Sequence, residues 1–363
     1  MLLSFLVFFL VLSVLVIIHE LGHFLVAKKN GIWVEEFGFG LPPKLFGKKI
    51  GDTEYTINLL PFGGFVRLHG ELSEDGKTKK DRAFLEKPKL VKSAVIVAGV
   101  VMNFLLAVVA FAIVYSHFGI PIETDKVKVL NIATNSPAQD AKLLVGDVIR
   151  KVDGQEVKSV SEFVSKIEDK KGKKVVLELE GRKVTITPRD NPPAGEGPLG
   201  VTISNTENYF PPFWQMPFYG AVYGIKDSLS WAKNIFMGLT NIAQDATKGK
   251  ISTEVPGPVG IFAIIDRILK TGSIWDLINL IGIISVNLAV LNILPFPALD
   301  GGRMLFILIE SVFGRKVAPK VESIIHSVGM IILLGLMILI TFKDVRSLIS
   351  AGSLSKFLDN MVK

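Results

Sequence analysis

The stretch Val16-Ile17-Ile18-His19-Glu20-Leu21-Gly22-His23-Phe24 (VIIHELGHF) puts three ionisable side chains at the end of an apolar run that begins at Met1. Titratable groups within a span are costly unless they have partners or a task. His19 and His23 stand four residues apart, so on a helix they share one face. Two imidazoles so placed can hold a zinc ion, and Glu20 beside the first can take a proton from water activated there. Two polar residues at the end of a span give the same spacing without chemistry. The apolar setting favours ligation, because ligation gives all three groups a role.

The rest of the chain is consistent with a membrane protein. Of 363 residues, 49% are hydrophobic and 21% charged, and the mean hydropathy is +0.44. So apolar a chain of this length implies spans. The formal charge of +7 reads as basic loops on the cytoplasmic side. No basic run is interleaved with aromatic residues, which speaks against nucleic acid as a partner. There is no cysteine, so a metal must be held by nitrogen and oxygen.

Four stretches are apolar and long enough to cross a bilayer: 1–27, 93–120, 277–300 and 323–342. The first has no basic leader region and no small-residue cleavage site, so it reads as a retained span. Segment 28–92 and loop 301–322, with Arg303, Arg315, Lys316 and Lys320, carry the basic excess and are placed in the cytoplasm. The amino terminus, the charge-balanced region up to 216 and the carboxy-terminal tail 343–363 then lie outside.

Residues 121–190 read as a small α/β module. Lys126–Ile132 and Leu143–Val152 are strand-like, Ser136 caps a short helix that begins at Pro137, and Ser159–Ile167 is helical. Val175–Leu179 and Val184–Thr187 alternate around Gly181-Arg182 as a hairpin. Pro192-Pro193-Ala194-Gly195 opens a linker that extends, with amphipathic helices, over 191–276. Within it, Leu229, Ala232, Ile235, Phe236, Leu239, Ile242 and Ala243 share a helical face. That face suits either the membrane interface or the core of the outer domain. On the cytoplasmic side, Glu54–Leu60 and Gly64–His69, joined at Pro61-Phe62-Gly63, read as a hairpin.

A catalytic zinc commonly takes three protein ligands and leaves one position open. Asp300, at the end of the third span in Asn292-Ile293-Leu294-Pro295-Phe296-Pro297-Ala298-Leu299-Asp300-Gly301-Gly302, is the best third candidate. The first and third spans run in the same direction, so His19, His23 and Asp300 are predicted at one depth, near the cytoplasmic side. Glu310 is a weaker choice. Pro295 and Pro297 break the helix, which is tolerated where backbone lines a water-filled cavity or is buried in protein. Asn292 suits either a substrate contact or a helix cap. Gly99 and Asn103 suit either close helix packing or a substrate contact. His69, His117 and His326 read as polar edge residues without a ligand role.

HELGH in a first span, NILPFPALDGG at the end of a later one and a PDZ-like insert between spans together resemble the site-2 intramembrane metalloproteases. The nearest group is the bacterial regulator-of-sigma-E protease (RseP) type. Gly38-Phe39-Gly40, Gly51-Asp52-Thr53-Glu54-Tyr55 and Pro61-Phe62-Gly63-Gly64-Phe65-Val66 resemble that family's membrane-associated hairpin. Ser136-Pro137-Ala138, Gly146-Asp147-Val148-Ile149 and Asp153-Gly154 resemble its PDZ domain. One such unit fits here, where some relatives carry two, and Val100 stands where a proline often follows the glycine.

The resemblance implies a multi-pass α-helical protein of the bacterial cytoplasmic membrane, with four transmembrane helices and an extracytoplasmic PDZ-like domain. It implies zinc on His19, His23 and Asp300, with Glu20 as base, and hydrolysis of single-span membrane proteins already shortened by an earlier cut. Substrate contacts are implied for Asn292 and the hairpin, with Gly63, Gly64 and Phe65, and Pro295 and Pro297 are counted with them as substrate-binding. Rival classes are weaker on the residues. A structural zinc would be closed by four ligands, and a transporter would show repeated halves or carboxylates along a path.

Overall fold

The computed structural model describes residues 1–71, 79–193, 195–247, 257–314 and 317–362. The chain divides into two compact units, Met1–Tyr115 with Pro217–Lys363, and Ser116–Met216.

The first unit opens with helix α1 (Leu2–Lys29). Lys28 and Lys29 lie in its last turn, where positive charge complements the helix dipole. Asn30 follows and donates its side-chain amide to Val26 O at 2.8 Å, satisfying a terminal carbonyl. Strands β1 (Val34–Ile50) and β2 (Thr53–Leu68) come next. Each strand folds back on itself. Residues 44–50 pair with 53–58, while 36–39 lie between 54–57 on one side and 64–67 on the other.

The hairpin expected over 54–69 is therefore corrected. Its two arms do not pair with each other; Glu36–Phe39 separates them. The Pro-Phe-Gly turn signal is local, whereas the intervening strand comes from about 20 residues upstream. Helix α2 (Lys89–Phe118) completes this part.

The second unit is a sheet with two helices. Its elements are β3 (Ile120–Ile132), α3 (Pro137–Asp140), β4 (Val148–Val152), β5 (Gln155–Glu156), α4 (Val160–Glu168), β6 (Val175–Leu179), β7 (Lys183–Ile186) and β8 (Val201–Tyr209). The strand order is β7-β6-β4-β3-β8, with β5 beside β4. Ser136 accepts from Gln139 N–H and Ser159 from Glu162 N–H, so both helices start on serine caps. Val127, Ile149, Phe163, Leu177 and Leu199 fill the core, each burial stabilising by about 1.5–3 kcal/mol. Strand β8 extends this unit past residue 190, into what the sequence assigns to a linker. Its polar run Thr202, Ser204, Asn205, Thr206, Glu207, Asn208 hides a strand that sits at the sheet edge, paired only with β3.

The first unit resumes with α5 (Met216–Thr247), α6 (Pro258–Thr271), α7 (Ile274–Ile293), α8 (Asp300–Phe313), α9 (Pro319–Ala351) and α10 (Leu354–Val362). Helix α5 packs Ala232 and Ile235 near Phe111 of α2, and Tyr115 donates its hydroxyl to Asp227. It thus belongs to the helical unit, not to the core of the β-rich one. Asp266 of α6 accepts from Ser4 Oγ at 2.7 Å, and Asp344 of α9 accepts from Gly260 N–H at 3.1 Å. Two buried carboxylates thereby tie α6 to α1 and α9.

Among the described residues, four helices are long and apolar enough to cross a membrane: Leu2–Lys29, Lys89–Phe118, Ile274–Ile293 and Lys320–Ala351. The third ends at Ile293, short of the expected 300. Loop 301–322 is mostly helix, because α8 fills it to Phe313 with an amphipathic pattern. The side chains of Pro61, Phe62, Ile242 and Ala243, and residues Ala194, Arg315 and Lys316, on which parts of the sequence reading rest, lie outside the described residues.

Candidate metal centre

Helix α1 carries His19, Glu20 and His23 on consecutive turns, and α8 opens with Asp300. His19 Nε2 lies 3.1 Å and His23 Nε2 3.4 Å from Asp300 Oδ2. The two Nε2 atoms are 3.1 Å apart. One ligand atom from each residue thus falls within 4.8 Å of the others.

The geometry of Asp300 comes from a broken helix. Helix α7 stops at Ile293, and neither Pro295 nor Pro297 has an N–H to continue it. Phe296 N–H donates to Leu294 O at 2.7 Å, and Leu299 N–H to Phe296 O at 3.2 Å. Ala298 takes φ +77°, unusual for a residue with a side chain. Helix α8 then doubles back so closely that a Cβ at Gly301 would overlap the carbonyl oxygens of Ile293 and Leu294.

The donor set fits a metal ion such as zinc. His23 Nδ1 donates to Val95 O at 2.8 Å, which leaves its Nε2 with a lone pair. Asn103, fully buried, presents its amide to His19 Nδ1 at 3.3 Å, while its own Oδ1 is buried without a partner. Turning that amide over lets Oδ1 accept from His19 Nδ1–H and frees His19 Nε2 as well. Asp300 Oδ2 is likewise buried with no hydrogen bond. Two ring lone pairs and a carboxylate oxygen then face one another, an arrangement that a cation resolves.

Two cavities meet at the cluster. The larger, about 1290 Å³, is lined by His19, Glu20, His23, Phe65, Asp300 and Arg303 among others. The smaller, about 260 Å³, is lined by Val16, His19, Glu20, Asn103, Asn292 and Asp300 among others. His19, Glu20 and Asp300 border both.

A model of peptidase family M50 matches residues 7–336. The chain belongs to this family. A Clostridium perfringens protein whose name assigns it provisionally to the zinc metalloproteases is 36% identical over 93% of this chain and 96% of its own length. A similarly named Fusobacterium nucleatum protein is 33% identical over 94% and 98%. The zinc metalloprotease RasP of Geobacillus kaustophilus is 29% identical over 94% and 98%. Among solved structures, the PDZ domain of an SdrC-like protein from Listeria monocytogenes is 28% identical, covers 23% of this chain and 93% of its own, and gives a TM-score of 0.20.

The other residues singled out in this M50 chain fall into three groups. Asn292, Asn103 and Phe65 line the cavities. Gly64 lies on strand β2 where a Cβ would be 3.8 Å from Glu20 Cγ, so this segment passes directly beside the acid. Gly63, Pro295 and Pro297 line neither cavity. Gly99 faces the two imidazoles themselves, and Asn103 touches His19, so both support the cluster from the α2 side.

Of the histidines assigned to edges, His69 is interior and His326 is half-buried. His69 is 2% exposed, sits 2.7 Å from Glu35 Oε1 and packs on Trp33. His326 accepts from Ala298 N–H at 2.9 Å and lines the larger cavity. Neither bears a spacing signal, because each partner lies far away in sequence. Glu310 stands apart from the cluster, with its carboxylate 3.8 Å from Lys92 Nζ. Arg303, unremarked in the sequence except as a loop charge, pairs with Glu71 at the cavity wall.

Proposed function

We propose that this M50 protein is an intramembrane zinc metalloendopeptidase of the site-2 type, resembling the RseP group but with one PDZ-like unit. It would cut peptide bonds within or near the transmembrane segments of single-span proteins. Anti-sigma factors and signal-peptide remnants, shortened beforehand by another protease, are the substrate classes in view. The observation that carries the reading is the convergence of His19, His23 and Asp300 from helices α1 and α8, beside Glu20 and between two cavities.

A zinc ion held by these three residues supplies Lewis acidity, which makes water more acidic and polarises a carbonyl. Glu20 takes the proton from the attacking water and delivers it to the leaving amine. Asn292 offers its amide to the substrate backbone in the smaller cavity, while Asn103, fully buried, braces His19. A transmembrane helix hides its peptide bonds in its own hydrogen bonds, so the substrate must be unwound before it can be cut. Among the described residues, the segment Gly64–Arg67 pairs with 36–39 alone, and it passes Glu20. An extended substrate adding as the next strand there would bring its backbone to the acid.

Basic loops support a cytoplasmic location for the site, in a bacterial cytoplasmic membrane, with the PDZ-like unit outside as a screen for shortened substrates. The test is wild type against Glu20→Gln in detergent, with zinc per chain measured and single-span model substrates supplied. Zinc in both and cleavage by wild type alone is expected. Zinc absent from folded, zinc-supplied wild type, or cleavage by Glu20→Gln at the wild-type rate, would overturn the reading.

A further inference from the structure

Ala298 stands two residues before Asp300 with φ +77°, a conformation that costs a residue with a Cβ and needs outside support. The support comes from helix α9. Ala298 N–H donates to His326 Nδ1 at 2.9 Å. The His326 ring also packs against Phe306 of α8, with centroids 5.6 Å apart. Three residues further along α9, a Cβ at Gly329 would lie 2.5 Å from Pro297 Cβ and 2.6 Å from Pro297 O. One face of α9 therefore seats the Pro297–Ala298 backbone and touches the helix that begins at Asp300.

We propose that His326 is a positioning residue for Asp300: its Nδ1 holds the Ala298 amide in the left-handed conformation that turns the Asp300 carboxylate toward His19 and His23. The inference rests on the reading of Asp300 as a metal ligand. The ring acts as an acceptor at a fixed point, so the proton of the neutral imidazole is on Nε2. An asparagine carbonyl occupies nearly the place of Nδ1, whereas a glutamine carbonyl reaches the place of Nε2 and misses the Ala298 amide. Glycine at 298 adopts positive φ without the penalty, so it needs the acceptor less.

The test measures zinc retention by the full-length protein in detergent against a graded chelator. The variants are His326→Asn, His326→Gln, Ala298→Gly and the double variant Ala298→Gly/His326→Gln, with His19→Ala as control. His326→Gln should weaken zinc binding about 10- to 100-fold, the usual range for a group that orients a ligand. His326→Asn should stay within about 3-fold of wild type, and His326→Gln should cost less than about 3-fold in the Ala298→Gly background. Equal losses in the Asn and Gln variants, or the same loss with and without the Ala298→Gly change, would overturn the proposal as a mere packing effect. Undiminished zinc in His326→Gln while His19→Ala loses it would overturn the proposal and leave the metal centre standing. Zinc binding that His19→Ala does not alter would overturn both.

Discussion

Gly99 of α2 and His23 of α1 approach so closely that a Cβ at position 99 would lie 2.5 Å from His23 Nε2, and 2.7 Å from His19 Cε1. The two helices thus meet face to ring at the metal centre, with no room for a methyl group. Gly99→Ala should push both imidazoles off their positions, an overpacking cost of about 1–3 kcal/mol. Zinc per chain after dialysis should fall well below wild type while the protein stays folded. A fully loaded Gly99→Ala protein would show that the rings have freedom the structure does not suggest.

Asn103 sets which nitrogen of His19 faces the cluster. Asn103→Asp keeps an oxygen acceptor for His19 Nδ1–H, and Asn103→Leu removes it. The leucine variant should bind zinc about 10- to 100-fold more weakly, and the aspartate variant should bind more tightly than the leucine variant. Competition with a chelator reads both. Equal affinity in the two variants would remove Asn103 from the ligand support.

The segment Gly64–Arg67, which among the described residues pairs with 36–39 alone, passes near Glu20. Successive N–H groups of a strand point to opposite edges, so of Phe65 and Val66 one faces inward to 36–39 and the other outward. Proline at the outward position should leave zinc binding and the sheet intact yet slow cleavage of a transmembrane substrate at least about tenfold, since strand addition loses a donor. Wild-type cleavage by both Phe65→Pro and Val66→Pro would exclude substrate capture at this edge.

Asp153, in the second unit, accepts from Val176 N–H at 2.8 Å with Lys170 Nζ 3.1 Å away. The Val176 hydrogen bond is the main reason its carboxyl titrates below the usual carboxylate range. A depressed carboxylate stabilises the fold fully above its unfolded pKa, about 3.9, and the contribution is lost as pH falls through the lower, folded value. Acidification from pH 5 to pH 3 should therefore loosen the Val175–Leu179 region of the wild type more than that of Asp153→Asn. Hydrogen exchange of those amides, corrected for intrinsic rates, measures the difference. Parallel pH profiles would show that Asp153 does not carry it.

The parts of this fold with a local signature were legible. The four long apolar helices follow from unbroken apolar runs, and the caps at Ser136 and Ser159 from short-range chemistry. His19 and His23 declare themselves by helical spacing, and Asp300 by its odd place at a span end. What escaped depends on distant partners. Nothing near Glu36–Phe39 announces that it will divide 54–57 from 64–67. The polar face of β8 conceals a strand that only β3 completes. His326 has no motif at all; its role appears only when α9 lies against the break between α7 and α8.

His19 and Asp300 are brought together although more than three-quarters of the chain's length separates them. A ribosome adding about 5–20 residues each second needs roughly half a minute to pass from one to the other. Throughout that interval the nascent chain carries its acid and both imidazoles without the carboxylate that completes the set. The His19, His23 and Asp300 cluster is therefore incomplete until α8 has been built and has turned back on α7. The break between α7 and α8 thus makes completion of the cluster one of the last events in the synthesis of the chain.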